Sequence, residues 1–258
     1  MSKIQIRQAF ANGKAFIPFI TAGDPSLEIT EQLVLQMAEA GADLIELGIP
    51  FSDPVAEGPI IQDADVRALE AGTTTDKIFA MVRRIRETCT VPIAFMTYIN
   101  PIFTYGTERF MKNCQDAGVC AVIVPDLPFE EKEEIEPSCL KYDVTLISMI
   151  APTSNDRIRM IAKEAEGFVY FVSSMGVTGV RQEISNDVEK MIQLVKEIKD
   201  IPCAIGFGIS TPEQAKKMAA FSDGVIVGSA IVRIIAEYGF GCVPHVVEYV
   251  KEMKKAIS

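Results

Sequence analysis

The sequence predicts an α/β fold, a single-domain (β/α)8 TIM barrel with an extra N-terminal helix, and three observations predict it. Short apolar runs recur eight times, and the stretches between them are too long for hairpin turns and are patterned as helices. The runs are nearly continuous in apolar residues, as parallel strands covered on both faces require. The length of 258 residues suits one barrel, and no linker or charge block divides the chain. Residues 1–258 are therefore read as one catalytic domain.

The elements follow in order. An amphipathic segment at 3–11 precedes the first strand, 16–20. Ser26 then caps a helix over 27–40. Further strands are expected at 44–49, 92–97, 121–124, 144–150, 168–172, 203–206 and 224–227. Helix starts are expected at Thr75 for a stretch reaching 87, at Asn186 for 187–198, and at Thr211-Pro212-Glu213. A last helix over 243–257 follows the eighth strand, and with the N-terminal segment it is expected to cap the barrel ends. The loops at 50–59 and 173–185 follow strand C-termini, the active-site face of such a barrel, and are candidate lids.

Composition narrows the function. Lys and Arg total 25 against 35 Asp and Glu, a net charge of -10 that repels a phosphate backbone, so no nucleic-acid partner is expected. A phosphorylated small substrate stays possible, because backbone N–H groups can hold phosphate without a basic surface. The six cysteines form no C-x-x-C pair and read as reduced thiols. No apolar run reaches the roughly 20 residues of a membrane span, and no signal-peptide core is evident, so no membrane partner and a cytoplasmic location are expected. His245 is the sole histidine, which excludes a multi-His metal centre and leaves proton transfer to carboxylates, Lys, Tyr or Cys. His245 itself reads as a structural or surface residue.

Glu46 lies within the apolar run Leu44-Ile45-Glu46-Leu47-Gly48-Ile49, where an ionised carboxylate is costly. It is either paired with a neighbouring strand or a catalytic acid whose pKa burial raises. Glu57 lies on the following loop, as a solvated charge or as a second carboxylate with a different proton role, and the solvated reading also covers Asp53 and Asp63. Gly179, Gly206, Gly208, Gly228 and Ser229 follow the last three strands, the last two opening a helix. Their places match a barrel phosphate site, although one glycine alone is ordinary turn chemistry. Tyr170, Tyr98, Phe19 and Thr21 each line a pocket or fill the core.

Taken together, Pro18-Phe19-Ile20-Thr21-Ala22-Gly23-Asp24-Pro25, Glu46-Leu47-Gly48-Ile49-Pro50-Phe51-Ser52-Asp53-Pro54, Gly176-Val177-Thr178-Gly179, Gly206-Phe207-Gly208-Ile209-Ser210 and Gly228-Ser229-Ala230-Ile231-Val232 resemble the tryptophan synthase alpha subunit. Met96-Thr97-Tyr98 with Asn100-Pro101, and Pro125-Asp126-Leu127-Pro128, extend the resemblance in order along nearly the whole chain. The resemblance implies a lyase that splits indole-3-glycerol phosphate into indole and glyceraldehyde 3-phosphate in L-tryptophan biosynthesis, with no metal or organic cofactor. It implies Glu46 as the acid and base at indole C3 and the side-chain hydroxyl, Glu57 as the carboxylate facing the indole nitrogen, and Tyr170 beside Glu46. Phe19, Thr21 and Tyr98 become the indole pocket, and Gly179, Gly208, Gly228 and Ser229 the phosphate donors. Thr178 and Arg181 fall on the mobile loop. Asp53 and Pro54 face a pyridoxal-phosphate-dependent beta subunit in an α2β2 tetramer.

The family usually carries Asp where this chain carries Glu57. The extra methylene moves the carboxylate by about 1 Å, and a misplacement of that size can cost about 100-fold in rate. Weak turnover in isolation is expected, with Glu57→Asp raising it. Two alternatives share the same residues: a stand-alone indole-producing lyase, and a binding and regulatory subunit that activates a beta partner. A sugar-phosphate isomerase or epimerase would share only the phosphate turns.

Overall fold

The computed structural model describes residues 2–172, 181–206 and 208–258, with the backbone alone for 181–186. In chain order the elements are α1 (Ser2–Ala9), β1 (Ala15–Thr21), α2 (Leu27–Glu39), β2 (Ile45–Gly48), α3 (Pro59–Glu70), α4 (Thr75–Arg86), β3 (Ile93–Met96), α5 (Ile99–Tyr105), α6 (Thr107–Ala117), β4 (Ala121–Ile123) and α7 (Glu136–Lys141). They continue with β5 (Thr145–Leu146), β6 (Ser148–Ile150), α8 (Asn155–Glu164), β7 (Val169–Val172), α9 (Arg181–Ile198), β8 (Cys203–Gly206), α10 (Pro212–Ala219), β9 (Gly224–Val227), α11 (Ser229–Tyr238) and α12 (Val243–Ile257).

Every strand pair is parallel, in the order β5-β4-β3-β2-β1-β9-β8-β7-β6. The two ends of that order, β5 and β6, flank the single residue Ile147. They are two pieces of one chain stretch, the first paired to β4 and the second to β7, so the sheet closes into an eight-position barrel. All eight strand expectations are met.

Strand periodicity divides the core into two layers. Phe16, Ile20, Ile45, Leu47, Ile93, Phe95, Val169, Phe171, Val225 and Val227 point outward and pack with the helices. Ile17, Leu44, Ala94, Ala121, Ile123, Phe168, Tyr170, Ala204 and Ile226 point inward and fill the barrel. The inward set includes Ile6 and Ala9 of α1, so the N-terminal helix plugs the barrel end from which the strands start. Glu46 alternates with outward Ile45 and Leu47 and therefore points inward, one pleat beyond Leu44.

Three expectations are corrected. α12 does not cap a barrel end. Its buried residues Val246, Val250 and Met253 pack in the outer layer beside α2 and α10, and Lys254 Nζ donates to Lys14 O at 2.9 Å and Asp43 Oδ2 at 2.7 Å. Thr74 rather than Thr75 caps α4, its hydroxyl accepting from Lys77 N. α9 starts at Arg181, well before Asn186, because a polar Asn-Asp pair inside a helix resembles a cap when read from sequence alone. Ser26 and Thr211 cap as expected, the latter in a full capping box with Gln214. His245 is exposed and stacks on Tyr238, ring centroids 3.7 Å apart.

Candidate active site

The strands deliver a set of polar side chains to one end of the barrel. Glu46 on β2 is fully buried, and among the described residues neither carboxylate oxygen has a hydrogen-bond partner. Its pKa is pushed well above the ordinary carboxylate range by burial, which favours the protonated acid. No neighbouring strand supplies a cation: its register partners are Phe19 on β1 and Ala94 on β3. The ion-pair reading of Glu46 is thereby removed.

Tyr170 enters from β7 across the barrel. Burial first, then the Glu46 charge, raise its phenol well above its usual value, which places the two groups within electrostatic reach. The phenol lies over Gly206, where a β-carbon would stand 2.4 Å from Tyr170 Oη. Phe19 uses the same device on the other side, because a β-carbon at Gly48 would stand 2.7 Å from the tip of its ring. Phe19 packs with Ala64 of α3 and Val232 of α11. Thr21 ends β1 and Thr97 follows β3; both are buried, and neither hydroxyl has a hydrogen-bond partner among the described residues.

The loop between β2 and α3 brings Glu57 over this end. Tyr98, buried at the start of α5, accepts from Ala56 N at 3.0 Å and so pins the loop beside Glu57. The start of α5 is in turn held by Asp126, whose Oδ1 accepts from Ile99 N at 3.0 Å. Gln62 Nε2 donates to the Glu57 carbonyl at 2.7 Å. Burial raises the Glu57 pKa, and its carboxyl is in hydrogen-bond contact with Asp65 of α3 and with Tyr98. Asp65 is only 4% exposed. Burial, and then the Glu57 charge, push it up to about 8, while Phe51 N–H donates to it.

Beside α3, against which it packs, α11 opens at Ser229 with Gly228 as its N-cap and no side-chain cap hydrogen bond. The first-turn N–H groups there suit an anion. Gly208 turns with φ +66, and nothing lies within 4 Å of where its β-carbon would stand.

The same architecture and residue order recur in known proteins. Residues 6–258 match the family described as Tryptophan synthase alpha chain. This chain belongs to the tryptophan synthase alpha chain family. The tryptophan synthase alpha chain of Lacticaseibacillus casei is 47% identical over 258 residues, covering 100% of this chain and 96% of that one. Tryptophan synthase subunit alpha from Legionella pneumophila superposes with a TM-score of 0.89 at 36% identity, over 99% of this chain and 97% of that chain. A chain of the tryptophan synthase α2β2 complex of Pyrococcus furiosus superposes at 0.86 with 36% identity, over 93% of this chain and 98% of that one.

Of the residues expected for a tryptophan synthase alpha chain site, Glu46, Tyr170, Phe19, Thr21, Tyr98 and Glu57 come to one barrel end. Gly208 and Gly228 lie in the turns after β8 and β9, and Ser229 opens α11. Thr178 and Gly179 lie outside the described residues, and Arg181 begins α9 with its side chain undescribed. Asp53 and Pro54 lie on the β2–α3 loop, Asp53 exposed with its Oδ2 accepting from Ser52 Oγ at 2.5 Å. Sequence reasoning missed Asp65 and Thr97. The signal for Asp65 was its spacing from Ala64 and Ala68, the buried stripe of α3.

Proposed function

We propose that this chain cleaves indole-3-glycerol phosphate to indole and glyceraldehyde 3-phosphate, working in the cytoplasm with a tryptophan synthase beta subunit in an α2β2 assembly. The observation that carries this reading is the group of buried oxygens, Thr21 Oγ1, both Glu46 carboxylate oxygens, Glu57 Oε2 and Thr97 Oγ1, that have no hydrogen-bond partner among the described residues and gather at one barrel end. Buried polar atoms ordinarily have partners, and exceptions concentrate where function needs them.

The reaction is a retro-aldol cleavage that needs only proton transfer. Glu46, held as the acid by its burial, gives its proton to indole C3. The resulting positive charge is delocalised to the indole nitrogen, where the Glu57 carboxylate accepts the N–H and stabilises it. Glu46, now ionised, takes the proton of the adjacent side-chain hydroxyl. The carbon–carbon bond breaks, its electron pair returns to the ring, and the oxygen becomes the aldehyde carbonyl. Glu46 ends protonated, as it began. The unlike environments of Glu46 and Glu57 separate the two roles.

Phe19 and Tyr98 flank the indole, and Tyr170 bounds the pocket at Glu46. The first turn of α11 and the turn at Gly208 take the phosphate, with Gly179, outside the described residues, expected as a further donor. The P. furiosus complex supports the beta partner. Asp53 and Pro54 would face it, and Val55 on the same loop, 79% exposed, adds apolar surface there.

The test is indole release from indole-3-glycerol phosphate by the purified chain, alone and with the beta subunit from the same source. Release that rises with the beta subunit supports the reading. No release in either case, with substrate bound, would make the chain a binding and regulatory subunit.

A further inference from the structure

Glu57 does not stand alone. Asp65 is buried on α3 with its carboxyl in contact with that of Glu57, and Glu57 Oε2 is buried with no hydrogen-bond partner among the described residues. Two carboxylates in contact repel, whereas an acid against a carboxylate forms a strong hydrogen bond. A proton held on one of them converts the contact from costly to favourable.

We infer that Asp65 is a positioning residue for Glu57: the two carboxyl groups share one proton, which Asp65 holds and donates to the Glu57 carboxylate, so that the site presents one oriented negative charge to the indole nitrogen. This rests on the reading of Glu57 given above and adds to it how a glutamate is held in place there. The backbone fixes Asp65 through Phe51 N–H, and Gln62 holds the Glu57 carbonyl, so both ends of the contact are anchored.

The surroundings favour keeping the proton. Asp24, on the turn after β1, adds negative charge near Asp65. Arg67, two residues along α3, is engaged by Asp24 through Nε at 2.8 Å and a second guanidinium nitrogen at 2.7 Å. Tyr98, whose phenol burial keeps neutral, feels Glu57, Asp65 and Asp126. Asp53 and Asp63 on the same loop and helix are exposed. Asp65 is pushed up to about 8, so the pair carries one proton and one charge at neutral pH and loses the proton as pH rises past that value.

The test is a pH titration of the chain labelled with carbon-13 at the aspartate carboxyls, read by NMR. One Asp carbon should titrate near pH 8. It should vanish in Asp65→Asn, and it should titrate at least about one unit lower in Glu57→Gln, where the neighbouring charge is gone. Asp65→Ala should lower kcat about tenfold with little change in KM, and Asp65→Asn, which keeps a donor, should restore most of it. An Asp65 carbon that titrates below pH 6, or is unmoved by Glu57→Gln, overturns the shared proton. Wild-type cleavage by Glu57→Gln would instead overturn the role of Glu57, and with it that of Asp65 as its positioner.

Discussion

Tyr170 and Gly206 fit together so closely, on the neighbouring strands β7 and β8, that a β-carbon at 206 would stand 2.4 Å from the phenol oxygen and 2.7 Å from two ring carbons. A ring cannot yield as a flexible chain end can. Gly206→Ala is therefore expected to swing Tyr170 out of place beside Glu46 and to lower kcat by about tenfold or more, since displacements near 1 Å at a site can cost about 100-fold. Steady-state cleavage kinetics check this. Unchanged kcat would mean that the position of Tyr170 does not matter to the reaction.

The buried acid makes stability depend on pH with a defined sign. The folded chain holds the Glu46 proton to a higher pH than the unfolded chain, whose glutamates titrate near about 4.3. Folding therefore takes up a proton between those two values, and stability falls as pH rises through that window. Glu46→Gln has no proton to lose. Its melting temperature is expected to match the parent's near pH 4 and to exceed it by a growing margin toward pH 9. A margin that is constant or shrinks with pH would contradict the burial argument.

Glu57→Asp separates the reading of the sequence from that of the structure. From the sequence, the shorter side chain promises a gain. The structure places Glu57 against Asp65 and Tyr98, and shortening it withdraws the carboxyl by about 1 Å from both contacts. The expected result is a lower kcat. A rise in kcat would show that the contact with Asp65 is dispensable.

Asp24 is buried and takes both arms of Arg67, tying α3 to the turn after β1. Arg67→Met would leave that carboxylate buried without its cation. Such losses cost about 3–5 kcal/mol in fully buried pairs. Arg67 is about one-third exposed, so about 2–3 kcal/mol is expected here, measured by urea unfolding.

The barrel was legible because its strands are apolar on both faces, and Glu46 stood out because it interrupts one of them. The same logic hid Asp65. It lies in the polar run Gln62-Asp63-Ala64-Asp65, where two acids look alike, and only the helix rotation turns Asp65 inward and Asp63 outward. Tyr98 and Phe19 were legible only as ambiguous aromatics, since what places them is Ala56 N–H on one and bare Gly48 beneath the other. Neither contact has a pattern in the sequence. The start of α9 was misplaced for a related reason, a polar pair within a helix reading as its cap.

The central claim is that Glu46 moves the proton that lets the bond break. Single-turnover indole release by Glu46→Gln, with substrate binding measured alongside and the beta subunit present, tests it most directly. The account predicts a loss of at least about 100-fold in the cleavage step, at the lower end of what a positioned acid-base contributes, with binding retained. Release within about tenfold of the parent chain would contradict it.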